Sequence, residues 1–114
     1  MIRVIDYINS GYSEEDATTL IPVIDKALET DLLVSVDFTG VQYFTTLFFS
    51  LSLTRLIGEL GEEGYRSRIS VENLSDSGKE TYEHAFEYAI EYFNKTAREQ
   101  EKERQIVIES LEDQ

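Results

Sequence analysis

The run Leu32-Leu-Val-Ser-Val-Asp-Phe38 constrains the fold more than any other stretch of the chain. It is apolar almost throughout and ends beside an acid, Asp37. A strand with one wet face alternates apolar and polar residues, whereas a run like this needs cover on both faces, as central strands of parallel or mixed sheets have. Helices supply that cover, and the flanking sequence offers them. Ile2 to Ile8 (IRVIDYI) is β-rich and partly alternating, a first strand ended by the turn residues Asn9, Ser10 and Gly11. Ser13 before Glu14, Glu15 and Asp16 reads as a helix start: the hydroxyl caps a free amide and the acids sit at the positive end of the dipole. Leu20, Ile21, Ile24 and Leu28 then share one helix face. Pro22 lacks an N–H and is expected to kink this helix or mark its true start.

Beyond Phe38, Thr39 and Gly40 make a turn and Val41 to Phe44 leads on. Thr45 or Thr46 caps an apolar helix to about Leu60, which Gly61 and Gly64 stop. Arg66 to Leu74 is a further strand with Ile69 and Val71 on one face, and Ser75 to Ser77 cap the longest helix, from about Gly78 to about Gln100. On it Tyr82, Ala85, Phe86, Ala89, Ile90 and Phe93 form one core stripe. The alternation predicts an α/β fold: a small mixed or parallel sheet with helices packed against it, plus a long C-terminal helix. The domain spans residues 1–100 and a charged tail spans 101–114. In that tail Ile106, Val107, Ile108 and Leu111 are candidates for self-association into a homo-oligomer, by adding a strand or packing helices between copies.

The segment from Val34 to Phe48, with its string Asp37-Phe-Thr-Gly-Val41, resembles the core of STAS domains, in particular the STAS-like proteins of unknown function. There a strand ending in this type of string leads through a short aromatic turn into a helix. The strand Arg68 to Leu74 and a C-terminal helix follow in the expected order, and the resemblance covers about residues 32–93. It implies protein–protein recognition, with histidine-kinase-like ATPases among the partners such domains take. Anti-sigma-factor antagonists of this family carry Asp-Ser-Ser-Gly at the start of the helix and are phosphorylated on the second serine. An ungapped alignment puts Thr45, Thr46, Leu47 and Phe48 on those positions, so Leu47 stands at the acceptor and Phe48 replaces the glycine. Thr45 and Thr46 remain as phosphoacceptors or as plain helix caps.

Charge and composition narrow the function classes. Twenty-three acids against ten bases give a formal net charge of −13, which repels phosphate backbones and anionic lipids and favours a basic partner. The same acidity also serves solubility alone. With no cysteine and one histidine, His84, the chain lacks thiolate chemistry and an evident metal-ligand set. No Gly-rich phosphate loop, Ser-His-Asp set or nucleophile elbow is present. The expectation is a non-enzymatic, cofactor-free, cytoplasmic protein that binds neither nucleic acid nor membrane. Asp37 reads either as an acid at a ligand crevice or as a turn acid bonding the Thr39 or Gly40 amide. Tyr88 and Tyr92, among Glu83, Glu87 and Glu91, read either as an interface for a basic partner or as cover for the sheet edge. Two partner classes follow: an ATPase or kinase-like regulator, or a basic nucleic-acid enzyme such as a CRISPR effector or nuclease, which this small acidic protein would inhibit.

Overall fold

The computed structural model describes the backbone of residues 1–112 and the side chains of residues 1–94. Five strands and four α-helices follow one another: β1 (Ile2–Arg3), β2 (Ser10–Gly11), α1 (Glu14–Thr30), β3 (Val34–Asp37), β4 (Gln42–Phe44), α2 (Thr46–Phe49), α3 (Leu56–Arg68), β5 (Ile69–Glu72) and α4 (Asp76–Glu112). Strands β1, β3 and β5 form one parallel sheet in that spatial order, with β3 in the middle, and β2 pairs in parallel with β4. The small parallel α/β sheet and the long C-terminal helix are those the sequence predicts.

Several boundaries move, each for a local reason. The first strand stops at Arg3, because Val4 turns into a 3-10 helix in which Tyr7 and Ile8 both donate to its carbonyl, at 2.9 and 3.0 Å. This turn keeps the Val4 side chain fully buried. Helix α1 neither starts nor breaks at Pro22. Its start is set by a reciprocal cap: Ser13 Oγ accepts from the Asp16 amide at 3.1 Å, and an Asp16 carboxylate oxygen accepts from the Ser13 amide at 3.1 Å. Pro22 is exposed, on the side of α1 away from the buried Ala17, Leu20 and Ile24, where a missing backbone donor costs least. The central strand begins at Val34, since Leu32 is 88% exposed. Arg68 holds that preceding loop, its guanidinium donating to the carbonyls of Leu28 at 2.7 Å, Asp31 at 2.9 Å and Leu32 at 3.2 Å. Arg66 and Arg68 therefore belong to the last turn of α3 rather than to a strand, and β5 shrinks to Ile69–Glu72.

The helical run from Thr46 to Arg68 has two irregularities. Phe48, Phe49, Ser52, Leu53, Leu56 and Ile57 are all buried, a stripe that repeats every four residues. In a regular α-helix such a stripe drifts by roughly 40° per turn away from the core. A π-helical segment, Ser50–Thr54, widens the turn and takes back part of that drift. The Thr54 hydroxyl follows the wider spacing, donating to the carbonyl of Phe49 five residues earlier at 3.3 Å. The second irregularity is Gly61, at φ 77° and ψ 167°, where the helix breaks and restarts before Arg68. Glycine alone reaches this conformation without strain, so Gly61 interrupts the helix as expected but does not end it.

Inside, Phe38, Phe44, Phe48 and Phe49 pack as one aromatic cluster with centroids 5.3 to 6.5 Å apart. Phe44 is wedged between two glycines. A Cβ on Gly11 would lie 2.6 Å from one edge of its ring, and a Cβ on Gly78 would lie 2.9 Å from the other. This ring thus joins β2, β4 and the first turn of α4. The predicted stripe of α4 faces inward: Ala85 and Ala89 are buried, with Tyr82, Phe86, Ile90 and Phe93 packed against the core.

Candidate functional site

The carboxyl ends of the three sheet strands bring Arg3, Asp37 and Glu72 side by side in register. Here Asp37 acts as a turn acid. One of its oxygens, Oδ1, accepts from the Thr39 hydroxyl at 2.6 Å, the Asn73 side-chain amide at 2.9 Å and the Thr39 backbone amide at 3.0 Å. These donors, led by the Thr39 hydroxyl and Asn73, with Arg3 adding a smaller attraction, hold its carboxyl below the ordinary value. Asn73 itself sits at φ 61°, a left-handed conformation that Asn tolerates better than most residues. Three donors converging on this one oxygen tie the end of β3 to its own turn and to the residue that follows β5. The Asn73 contact, 36 positions away, had no local signal in the sequence.

The start of α2 is the second place where expected site residues gather. Thr45 is its N-cap: the hydroxyl accepts from the Phe48 amide at 3.1 Å and donates to the Tyr12 carbonyl at 2.7 Å. Its amide donates to the Gly11 carbonyl at 2.9 Å, which extends the β2–β4 pairing. Both functions of the Thr45 hydroxyl are thus engaged, whereas Thr46 is exposed. Leu47, which aligns with the acceptor serine of anti-sigma-factor antagonists, is also exposed, as are Tyr12 and Tyr43 on the two segments that meet at Thr45. Of these three, the sequence singles out Leu47 alone, through the alignment, and marks neither tyrosine. Tyr43 at φ 63° and Tyr12 just past a two-residue strand carry no periodic signal that marks them as exposed.

Helix α4 presents two different flanks around its buried stripe. On one, Tyr88 and Tyr92 are 65% and 56% exposed and border a recess of about 230 Å3 with Arg55, Ala89 and Phe93. Arg55 reaches Asp25 of α1 at 2.7 Å, and its Nε is buried. On the other flank Glu83, Glu87 and Glu91 line a groove of about 760 Å3 between α4, α3 and β5. Tyr65 and Tyr82 meet there through their hydroxyls at 2.7 Å, and burial pushes both phenols above their ordinary value. The five α4 residues singled out by sequence therefore split: the tyrosines and the glutamates belong to separate surfaces. His84 is exposed, and among the described residues no group of three or more His, Cys, Asp or Glu could hold a metal ion. Ile106, Val107, Ile108 and Leu111 lie outside the residues whose side chains are described. No helix among the described residues is long and apolar enough to cross a membrane.

A family model described as a STAS-like domain of unknown function matches residues 18–79, more than half of the chain. The match runs from within α1 to the first turn of α4 and so takes in the β3 string, the Thr45 cap and β5. No curated protein and no solved structure matches the chain.

Proposed function

The chain belongs to the family of STAS-like domains of unknown function, and on that premise we propose that it is a non-enzymatic regulatory module that binds a protein partner through the tyrosine flank of α4. The observation that carries the reading is the exposure of Tyr88 and Tyr92, one turn apart, while Tyr82, Phe86 and Phe93 of the same helix pack inward. Tyrosine buries a large area at low entropic cost and brings a hydroxyl to a wet rim, which is why it anchors interfaces. The surrounding charge, −13 over the chain, selects a basic partner and speeds its approach. Where that partner is an ATPase or kinase of the kind STAS domains take, Thr46 is the hydroxyl open to it, since the Thr45 hydroxyl is already bonded twice.

A second reading rests on the other flank. Glu83, Glu87 and Glu91 stand at four-residue spacing with Glu62 lining the same groove, an acidic row suited to occupying a basic nucleic-acid site. An inhibitor of a nucleic-acid-binding protein would work this way. Capture of partners from host lysate by the wild type and by the double variant Tyr88→Ala, Tyr92→Ala, at low and high salt, separates the two. A partner held at high salt and lost from the double variant supports the regulatory reading. A basic nucleic-acid enzyme lost at high salt from both proteins alike refutes it in favour of the inhibitor.

A further inference from the structure

The parallel sheet ends at β5, and the inner side of this strand is bonded to β3. Val71 lies opposite Val36, and the Phe38 amide donates to the Glu72 carbonyl at 2.9 Å. Successive residues of a strand turn their backbone groups to opposite sides. Ser70 and Glu72 therefore serve β3, and Val71 turns its N–H and C=O to the open side. No strand lies beyond it among the described residues. The groove of about 760 Å3 runs along this edge, lined by Ile69 and Val71 from β5 and by Tyr82, Phe86 and Ile90 from α4.

An open edge continuous with an apolar groove is what an added strand requires: the edge supplies main-chain bonds and the groove receives alternate side chains. The charge of the groove decides the occupant. Glu83, Glu87 and Glu91 line it from α4 and Glu62 from α3. The base beside them, Arg66, pairs with Glu62 at 3.4 Å and lies over the Phe86 ring at 4.5 Å. A second copy of the chain would set its own acids against these, and a nucleic acid would set phosphates there. We propose that β5 accepts an extended segment of a protein partner as an additional strand, with apolar side chains in the groove and Lys or Arg side chains against Glu83, Glu87 and Glu91. The inference rests on the partner-binding reading but uses the opposite flank of α4, so either can fail alone.

The test is a titration of the isotope-labelled full chain with an end-capped peptide alternating lysine and valine, read by amide shifts and hydrogen exchange. The Val71 amide is expected to exchange freely in the unliganded protein and to slow at least about tenfold with the peptide. Replacing lysine by glutamate in the peptide, or methylating its alternate amide nitrogens, is expected to abolish the effect. The exposed triple substitution Glu83→Gln, Glu87→Gln, Glu91→Gln should weaken binding about tenfold while leaving the far-ultraviolet spectrum unchanged. Shifts confined to other acids such as Glu14 and Glu15, with Val71 exchange unaltered, overturn the proposal as mere charge attraction. Equal binding by the methylated peptide overturns strand addition. A sedimenting dimer with Val71 already protected assigns the edge to a second copy instead. None of these outcomes bears on partner capture through Tyr88 and Tyr92.

Discussion

Adding one methyl group at Gly11 tests the rigidity of the aromatic cluster that holds the start of α2. An alanine Cβ there would lie 2.6 Å from Phe44 Cδ1 and 3.0 Å from both Phe44 Cε1 and Phe48 Cδ1, against roughly 3.5–4.0 Å for relaxed carbon contacts. Neither ring has an easy retreat. Phe48 is fully buried, and the far edge of Phe44 already rests against Gly78 while its face stacks on Phe49 at 5.3 Å. Overpacking of this kind costs about 1–3 kcal/mol, and the lower entropy of the unfolded alanine chain returns about 0.4–1 kcal/mol. Gly11→Ala is thus expected to destabilise by about 1–2 kcal/mol, lowering the melting temperature by about 5–15 °C in a domain of this size. Circular-dichroism melts and urea titrations measure it, with the urea slope unchanged. A second substitution, Phe44→Leu, removes the ring edge that the added methyl group would strike, so the double variant should be more stable than additivity predicts by about 1 kcal/mol. A neutral or stabilising Gly11→Ala, or strict additivity with Phe44→Leu, would show that the cluster yields freely and refute the reasoning.

Gly61→Ala meets nothing within 4 Å, yet it is expected to lose about 1–3 kcal/mol because φ 77°, ψ 167° is strained for any Cβ-bearing residue. A gain in urea midpoint would instead indicate regular helix at that position. Arg68→Ala removes three hydrogen bonds to the end of α1 and its following loop, at a cost of about 1–2 kcal/mol given their partial exposure. Arg68→Lys should recover less than half of it in the same urea assay, because an ammonium cannot fork across three carbonyls. Asp37 has a folded-state pKa below its unfolded one, so it contributes stability above about pH 4 that is lost as pH falls through the folded value. In Asp37→Asn the acid limb of the stability–pH profile should flatten, and a limb as steep as that of the wild type would place the acid sensitivity elsewhere.

What could be read from the sequence was what neighbouring residues decide. The Ser13–Asp16 cap, the Asp37–Thr39 turn and the inward stripe of α4 each depend on residues within a few positions, and each is present. The apolar run ending in Asp37 and the alternation of elements together point to a mixed or parallel sheet with helical cover, and the three strands form the parallel one. Long-range contacts overrode the rest. Leu32 and Leu33 look like strand residues until Arg68, from the far end of α3, takes the Leu32 carbonyl. Asn73 looks like any turn residue until it reaches Asp37. The tyrosines and glutamates of α4 are interleaved along the helix but lie about 100° apart around it, and the packing of α3 and β5 decides that the glutamates border the groove while the tyrosines border the recess beside Arg55.

The helical stretch from Thr46 to Arg68 also has a consequence for motion. The π turn ending at Thr54 and the break at Gly61 divide it into pieces too short to persist as helices on their own. Each piece is held by what it packs on rather than by its neighbours along the axis. The piece that carries Thr45 leans on the aromatic cluster, and the piece that ends at Arg68 leans on β5 and α4. In native-state hydrogen exchange they should open as separate cooperative units, with an early-exchanging seam at the exposed break around Gly61 and slow exchange through the buried Ser52–Thr54 turn. Fluctuation at the cap of α2 would then leave the groove beside β5 intact, so a partner bound at one place need not be felt at the other.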